Sequence, residues 1–519
     1  MISLCGAGFW ILFNVFIAGR LDFQSLPITH LLLFFGGVAG GAIVGIVVLR
    51  KLGPKFDEFK KSNTIRTRLE RNRKTDVREI EKFLPRIQEN YDPTNFFKPK
   101  GFFLGLGENG NPVYWEERLP HVQVTGTTGA GKGVALGMLC AQAIRQGAAV
   151  VYIDPKDDEW GPYVLYEAAQ KVGCGYQFID LRLQAPPQLN LFDGASAEEI
   201  EELFLAGFGL SDKGEAADFY RVADRRAAAD VAFVAAIDDH TPASLYNEVK
   251  EQIEETAPYF SGLLREMAAV SAVNARGGFS LENLVEAGGA IYVVGSMRNA
   301  KVLRLQRMLL IRLIQLVERR DRAASQTLRP VLAILDEFKT QVSRPAMEAL
   351  QGARDKGMAV VMAHQSMSDL RDCPADMDPE SVVGGVMENG KLKLVYKVQD
   401  PETAAWMAAK SGLIQVDDEL RSVRQNLALA ETVDDARSIR QAERFFVDQN
   451  MVLNLPAQVA VVFGLGLPQF VQTAAVRVRK NKAAIEPVEA PGYDSLFGDN
   501  NPISLPTSTD SNQIKVLPI

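Results

Sequence analysis

The stretch His121–Gln142, HVQVTGTTGAGKGVALGMLCAQ, sets the fold. A short apolar-leaning run to Thr125 leads into Gly126-Thr127-Thr128-Gly129-Ala130-Gly131-Lys132-Gly133. A run that can form an amphipathic helix follows at once. Strand, glycine loop and helix in this order make a phosphate-binding loop. The glycines let the backbone approach a phosphate closely. Successive N–H groups and the helix N-terminus then face the anion. Lys132 adds a point charge to the outer phosphates. Residues 126–133 are therefore the candidate nucleotide-binding set. The position after the lysine is normally Ser or Thr, whose hydroxyl meets Mg²⁺; here it is Gly133.

A partner motif lies some two hundred residues on. Val331-Leu-Ala-Ile-Leu-Asp336-Glu337 reads as a buried strand ending in two carboxylates. In open α/β sheets, ligands bind at that edge. Asp336 suits Mg²⁺, held through water because Mg²⁺ keeps much of its hydration. Glu337 is placed to orient or deprotonate an attacking water. The next strand ends in Ala363-His364-Gln365, and Gln365 is a candidate to sense the γ-phosphate or the water. Asp154-Pro155-Lys156 ends the strand after the loop helix; Asp154 either lies over the nucleotide or belongs to a turn. Arg354, between Asp336 and Gln365, is a candidate to reach a neighbouring subunit's γ-phosphate.

With 519 residues the chain holds two to four domains. Its net charge of −7 announces no global affinity for nucleic acid, so any DNA contact is local. Cys5, Cys140, Cys174 and Cys373 lack zinc spacing and read as thiols in a reducing compartment.

Residues 2–18 and Leu31–Leu49 are almost wholly apolar. Nineteen helical residues span roughly 28 Å, the thickness of a bilayer's hydrocarbon. The expectation is a two-helix transmembrane hairpin over 1–49, with Gly37, Gly41 and Gly45 forming a doubled GxxxG row that packs helices closely. The stretch Arg50–Arg86 then carries thirteen Lys/Arg against six Asp/Glu. Basic residues beside a span stay in the cytoplasm, which puts both termini there. This linker, 50–95, can touch anionic lipid or DNA.

Strand-like runs at 121–125, 148–154 and 176–180 alternate with helical runs, which argues for a parallel sheet covered by helices. From Ser196 to Asn274 the strand signal vanishes. Ser196–Glu199 reads as a capping box, and Thr241-Pro242 as a cap followed by proline at the first helical position. Strands resume at 290–295, 331–336, 359–363, 392–398 and 459–463, with a long helix over 300–320. The domains expected are an α/β, RecA-like P-loop nucleotide-binding domain over 96–195 and 275–480, an inserted all-α domain over 196–274, and a flexible tail over 481–519. The tail reading rests on its Pro, Ser, Asn and Asp content.

The order of membrane hairpin, GTTGAGKG, YIDPKDDEW, NLFD (Asn190–Asp193), helical insertion, VLAILDEF and AHQSMSDL resembles the type IV coupling proteins of bacterial conjugation and secretion, over residues 1 to about 470. The resemblance implies an inner-membrane ATPase using ATP and Mg²⁺, and a homo-hexameric ring with ATP between subunits. It also implies a role in passing a relaxase–DNA complex, with single-stranded DNA bound without regard to sequence, to the type IV secretion channel. Glycine after the loop lysine is familiar in that family. Two other readings share the motor core. One is a DNA pump of the FtsK/HerA kind, which usually carries four membrane helices and a winged helix. The other is a receptor in which nucleotide sets an assembly state without pumping, which Gly133 favours.

Overall fold

The computed structural model describes residues 90–211, 216–320, 328–425 and 431–496, together with Val77. The described residues fall into two compact units. The larger holds the α/β core and the inserted helices, Arg73–Ile414 with Arg444–Ile519. The described part of the other, Gln415–Glu443, is most of a two-stranded ribbon.

The core strands, in chain order, are β1 (Phe102–Gly107), β2 (Pro112–Trp115), β3 (Val122–Thr125), β4 (Ala149–Asp154), β5 (Tyr176–Asp180), β6 (Ala275–Arg276), β7 (Gly289–Val294), β8 (Val331–Leu335), β9 (Met358–His364) and β10 (Leu392–Val395). The ribbon is β11 (Leu413–Gln425) and β12 (Glu431–Phe445). Then come β13 (Val459–Phe463), β14 (Gln469–Gln472) and β15 (Gly492–Tyr493). Eleven of these form one sheet, in the order β2-β1-β14-β13-β10-β3-β9-β8-β4-β7-β5. From β10 to β5 every pairing is parallel. The other four strands extend the sheet antiparallel.

The central strands are buried on both faces and mostly apolar because helices cover both sides of the sheet. In β4, Ala149, Val151 and Ile153 enter the core on one face, and Val150 and Tyr152 the core on the other. The sequence reading found the parallel strands but not β1, β2, β14 or the ribbon.

Helix α1 (Lys132–Arg145) leaves the phosphate loop, and α2 (Gly161–Val172) follows β4. Four helices fill the insertion: α3 (Ala197–Gly207), α4 (Val222–Ile237), α5 (Pro242–Ile253) and α6 (Pro258–Ala268). Ser196 and Glu199 form their reciprocal capping box, and Thr241 caps α5 ahead of Pro242. Helix α7 (Ala300–Glu318) packs against α3, and its buried Arg312 pairs with Glu199 at 3.2 Å. Helix α8 (Arg344–Gly352) connects β8 to β9.

The expected flexible tail is corrected over 481–496. Strand β15 pairs antiparallel with β6. Asp494 bonds Arg276 at 2.9 Å and accepts from the Thr241 hydroxyl at 2.7 Å. The Tyr176 hydroxyl donates to the Ala484 carbonyl at 2.6 Å. The segment has no periodicity of its own because backbone groups and one carboxylate, rather than an apolar stripe, hold it down. Among the described residues no helix is long and apolar enough to cross a membrane. The two spans expected within 1–49 lie outside the described residues.

Candidate active site

The register of the parallel strands brings the separate motifs to one edge. Thr125 stands level with His364 of β9 and with Val395 of β10, so the phosphate loop, Gln365 and Tyr396 emerge together. Leu335 is level with Ile153, and the Asp336 amide donates to the Ile153 carbonyl at 3.1 Å. The acid pair and the Asp154 turn are thereby neighbours.

The loop is braced from below. Thr127 N donates to Lys397 O at 2.8 Å, and Gln458 N to Ala130 O at 2.8 Å. Tyr396 packs beneath it, so a Cβ at Gly126 would stand 2.7 Å from the Tyr396 Cβ, and one at Gly131 2.9 Å from its ring. Both glycines also have positive φ, +159° and +122°. At these two positions only glycine lets the loop lie this close to the strand end. Gly131 caps α1 without a side chain, which leaves the first-turn amides directed at the loop. Thr128 and Gly129 form its exposed crest. Lys132 is buried, with Nζ donating to Gly126 O at 2.6 Å and Thr127 O at 3.3 Å. Burial and the nearby Lys156 charge pull its pKa down. Gly133 is exposed, and a Cβ there would meet nothing within 4 Å.

Glu337 is 1% exposed and sits at φ 51°, a left-handed conformation that costs a non-glycine residue energy and is found at functional sites. Its Oε1 accepts from Gln365 Nε2 at 3.1 Å and pairs with Lys156. Its Oε2 is buried without a hydrogen bond among the described residues. Burial would raise the Glu337 carboxyl, but the hydrogen bond and charge of Lys156, with Gln365 and Lys132, hold it below its ordinary value. Asp336 lies 3.8 Å from Lys156, and burial pushes it up to about 6 despite that cation. A carboxylate at the open edge, an unbonded buried oxygen beside it and an unfilled flank at Gly133 fit a hydrated divalent cation.

Asp154 is fully buried. Its carboxylate accepts from Lys156 N at 2.8 Å, Asp158 N at 2.6 Å and the Tyr292 hydroxyl at 2.6 Å. Of the two readings left open by the sequence, the turn describes this geometry: Asp154 shapes the bend that aims Lys156 at the acids. Lys156 itself was passed over, although the turn motif that carries it was not. His364 was missed as well. Its Nδ1 faces the Ser366 carbonyl at 2.9 Å and so must donate. Its Nε2 then accepts from Gln123 at 2.8 Å and Thr125 at 3.1 Å. Burial pulls its pKa down to about 4, so the ring stays neutral and fixes the strand end before Gln365.

Arg354 is not brought to this edge. It is exposed, in the turn that feeds β9, and its charge acts on His121 at the start of β3. That is the opposite edge of the sheet, where it cannot reach the loop of its own chain.

A family model described as type IV secretory system conjugative DNA transfer matches residues 222–474. Mobilization protein A of Escherichia coli is 30% identical over 354 residues, which is 62% of this chain and 60% of that protein. The chain thus spans 60% of the length of this curated relative. The bacterial conjugative coupling protein TrwBdeltaN70, in an unbound monoclinic form, matches with a TM-score of 0.57 at 18% identity, over 78% of this chain and 97% of that one. A trigonal form of it, in complex with sulphate, gives 0.53 at 17% identity, over 71% and 88%. At such identities the structural likeness speaks for the fold.

Proposed function

We propose that this chain, a relative of the type IV secretory conjugative DNA-transfer proteins, is an ATPase that drives delivery of a relaxase–DNA complex into a type IV secretion channel. The observation that carries the ATPase half is the convergence of Lys132, Asp336, Glu337 and Gln365 at one sheet edge, with Gln365 bonded to Glu337. ATP lies with its phosphates in the 126–133 loop. Lys132 swings from its loop carbonyls to the outer phosphates. Asp336 would hold Mg²⁺, which would supply charge neutralisation on the phosphate oxygens. Glu337 orients and deprotonates the attacking water, while Gln365 fixes the Glu337 carboxylate. The protein works as a homo-hexamer at the inner membrane, anchored by a hairpin within residues 1–49, with the bulk of the chain cytoplasmic.

Steady-state ATP hydrolysis, measured with and without single-stranded DNA, tests this. Wild type should hydrolyse ATP and respond to DNA. Lys132→Ala should lose nucleotide binding, and Glu337→Gln should bind ATP yet turn it over slowly. A wild type that binds ATP without hydrolysing it would leave the receptor reading in its place.

A further inference from the structure

Two of the most exposed large apolar side chains among the described residues are neighbours in the 3-10 turn just before α4. Phe219 is 79% and Tyr220 83% exposed, and their rings meet edge to face at 5.9 Å. Neither belongs to a core. The next residue, Arg221, ties them in place. Its guanidinium lies 5.6 Å over the Tyr259 ring and donates to the Gly209 carbonyl at 2.7 Å.

Gly209 also lines a cleft of about 160 Å³ between the end of α3 and the start of α8. Arg304 and Arg307 of α7 and Arg344 of α8 line the same cleft, against one carboxylate, Asp376. Each arginine is held by a bond that leaves part of its fork over. Arg304 pairs with Glu266, which is outside the lining. Arg307 donates Nε to the Thr340 carbonyl at 3.0 Å, and Arg344 donates to the Asp376 carbonyl at 3.2 Å. Three arginines thus line the cleft against one carboxylate, and Arg221, which follows the aromatic pair, bonds the carbonyl of its Gly209.

We propose that this cleft and ring pair form a binding site for single-stranded nucleic acid: a phosphodiester enters between Arg304, Arg307 and Arg344, and adjacent bases stack on Phe219 and Tyr220. Guanidinium forks match phosphate oxygens, and aromatic rings accept any unpaired base face. A duplex hides those faces, so the rings select single strands. The assignment names a DNA contact for the proposed function and rests on that reading. It also reaches the acid pair. The Thr340 carbonyl that holds Arg307 belongs to a residue whose amide and hydroxyl both donate to the Glu337 carbonyl at 2.9 Å. A phosphate that draws on Arg307 therefore pulls on the turn that shapes Glu337.

The test is fluorescence anisotropy of a labelled thirty-nucleotide oligodeoxythymidine, and of a duplex of equal length, with the full chain in detergent. Salt is varied from about 50 to 200 mM, the range over which phosphate contacts show most clearly. Phe219→Ala with Tyr220→Ala should weaken single-strand binding roughly five-fold or more, as loss of stacking does, and leave the duplex and the salt slope unchanged. Arg344→Gln should lower the salt slope by about one for either DNA. Both variants should keep wild-type ATP hydrolysis in the absence of DNA. An unchanged single-strand affinity in the ring variant overturns the site while leaving the ATPase reading standing. A ring variant that loses oligomers on sizing but keeps its DNA affinity makes the patch a subunit interface, and one that loses a bound protein substrate instead makes it a protein-docking face. A wild type that binds neither DNA removes the DNA half of the proposed function along with the site.

Discussion

The Lys156 ammonium pairs with the same Glu337 oxygen that accepts from Gln365 Nε2 at 3.1 Å. The proposed base is thus held by a cation from the β4 turn. That cation is what keeps its carboxyl low in a buried place. With Lys156→Met, Glu337 keeps the Gln365 bond but loses that of Lys156 and a compensating charge, and Asp336 loses its nearest cation. Both carboxyls should then hold their protons to higher pH. The acid limb of kcat/KM for ATP hydrolysis should move upward by about one pH unit, and Lys156→Arg should restore it. An acid limb that stays where it was would separate Lys156 from the base.

Asp336 provides a second pH dependence, this time in stability. Its pKa is raised to about 6 by burial. The folded state therefore keeps a proton that the unfolded chain gives up at lower pH. The sign follows: this contribution is full below the unfolded value and disappears as pH rises through about 6. Asp336→Asn removes a buried charge and should stabilise the protein at pH 8 by on the order of 1–3 kcal/mol. The advantage should shrink to nothing near pH 3.5. Thermal melts across that range without divalent cation are the measurement; an equal gain at both ends would mean that charge is not its cause.

The parallel core and the acid pair are legible because buried strands are near-continuous apolar runs, and β4, β8 and β9 carry them. Lys156 escaped because nothing in Asp154-Pro155-Lys156 says which side chain the bend turns inward. That depends on Tyr292, 138 positions away, which bonds Asp154. Arg354, read as reaching a neighbouring subunit's γ-phosphate, lies at the opposite edge from the loop of its own chain. In a parallel sheet, loops that follow strands open on one edge and loops that follow helices return to the other. Arg354 comes after α8 and before β9, so its edge was already fixed by connectivity. Strands β1, β2 and β14 were missed because they form antiparallel extensions of a sheet whose centre dominates the pattern.

The packing of residues 481–496 yields a truncation series. Ending the chain at 496 keeps β15, the Asp494 contacts and the Tyr176–Ala484 bond; ending it at 480 removes them all. Hydrogen bonds of this sort contribute roughly 1 kcal/mol each. The shorter chain should be less stable than the longer by a few kcal/mol in denaturant unfolding. Asp494→Ala in the full chain should reproduce part of the deficit of the 480 truncation. Equal midpoints for the two truncations would show that the pairing of β15 with β6 contributes nothing.

Gly133 is where the loop departs from the usual pattern, and the geometry makes the departure reversible. It lies in the first turn of α1, is exposed, and a Cβ would touch nothing within 4 Å. Its φ is not in the left-handed region, in contrast to Gly126 and Gly131. Serine there meets neither a clash nor strain, and helix propensity favours it slightly over glycine. Its hydroxyl would take a Mg²⁺ position that water otherwise fills beside Asp336. Gly133→Ser should therefore tighten Mg²⁺-dependent ATP binding by about three- to ten-fold, the range one added contact supplies, and leave binding in EDTA unchanged. Gly133→Ala separates the two effects: it should gain the helix stability without the metal dependence. Nucleotide titrations at several Mg²⁺ concentrations decide it. Serine and alanine variants that bind Mg·ATP equally well would show that the hydroxyl finds no metal, and that the cation is held from the Asp336 side alone.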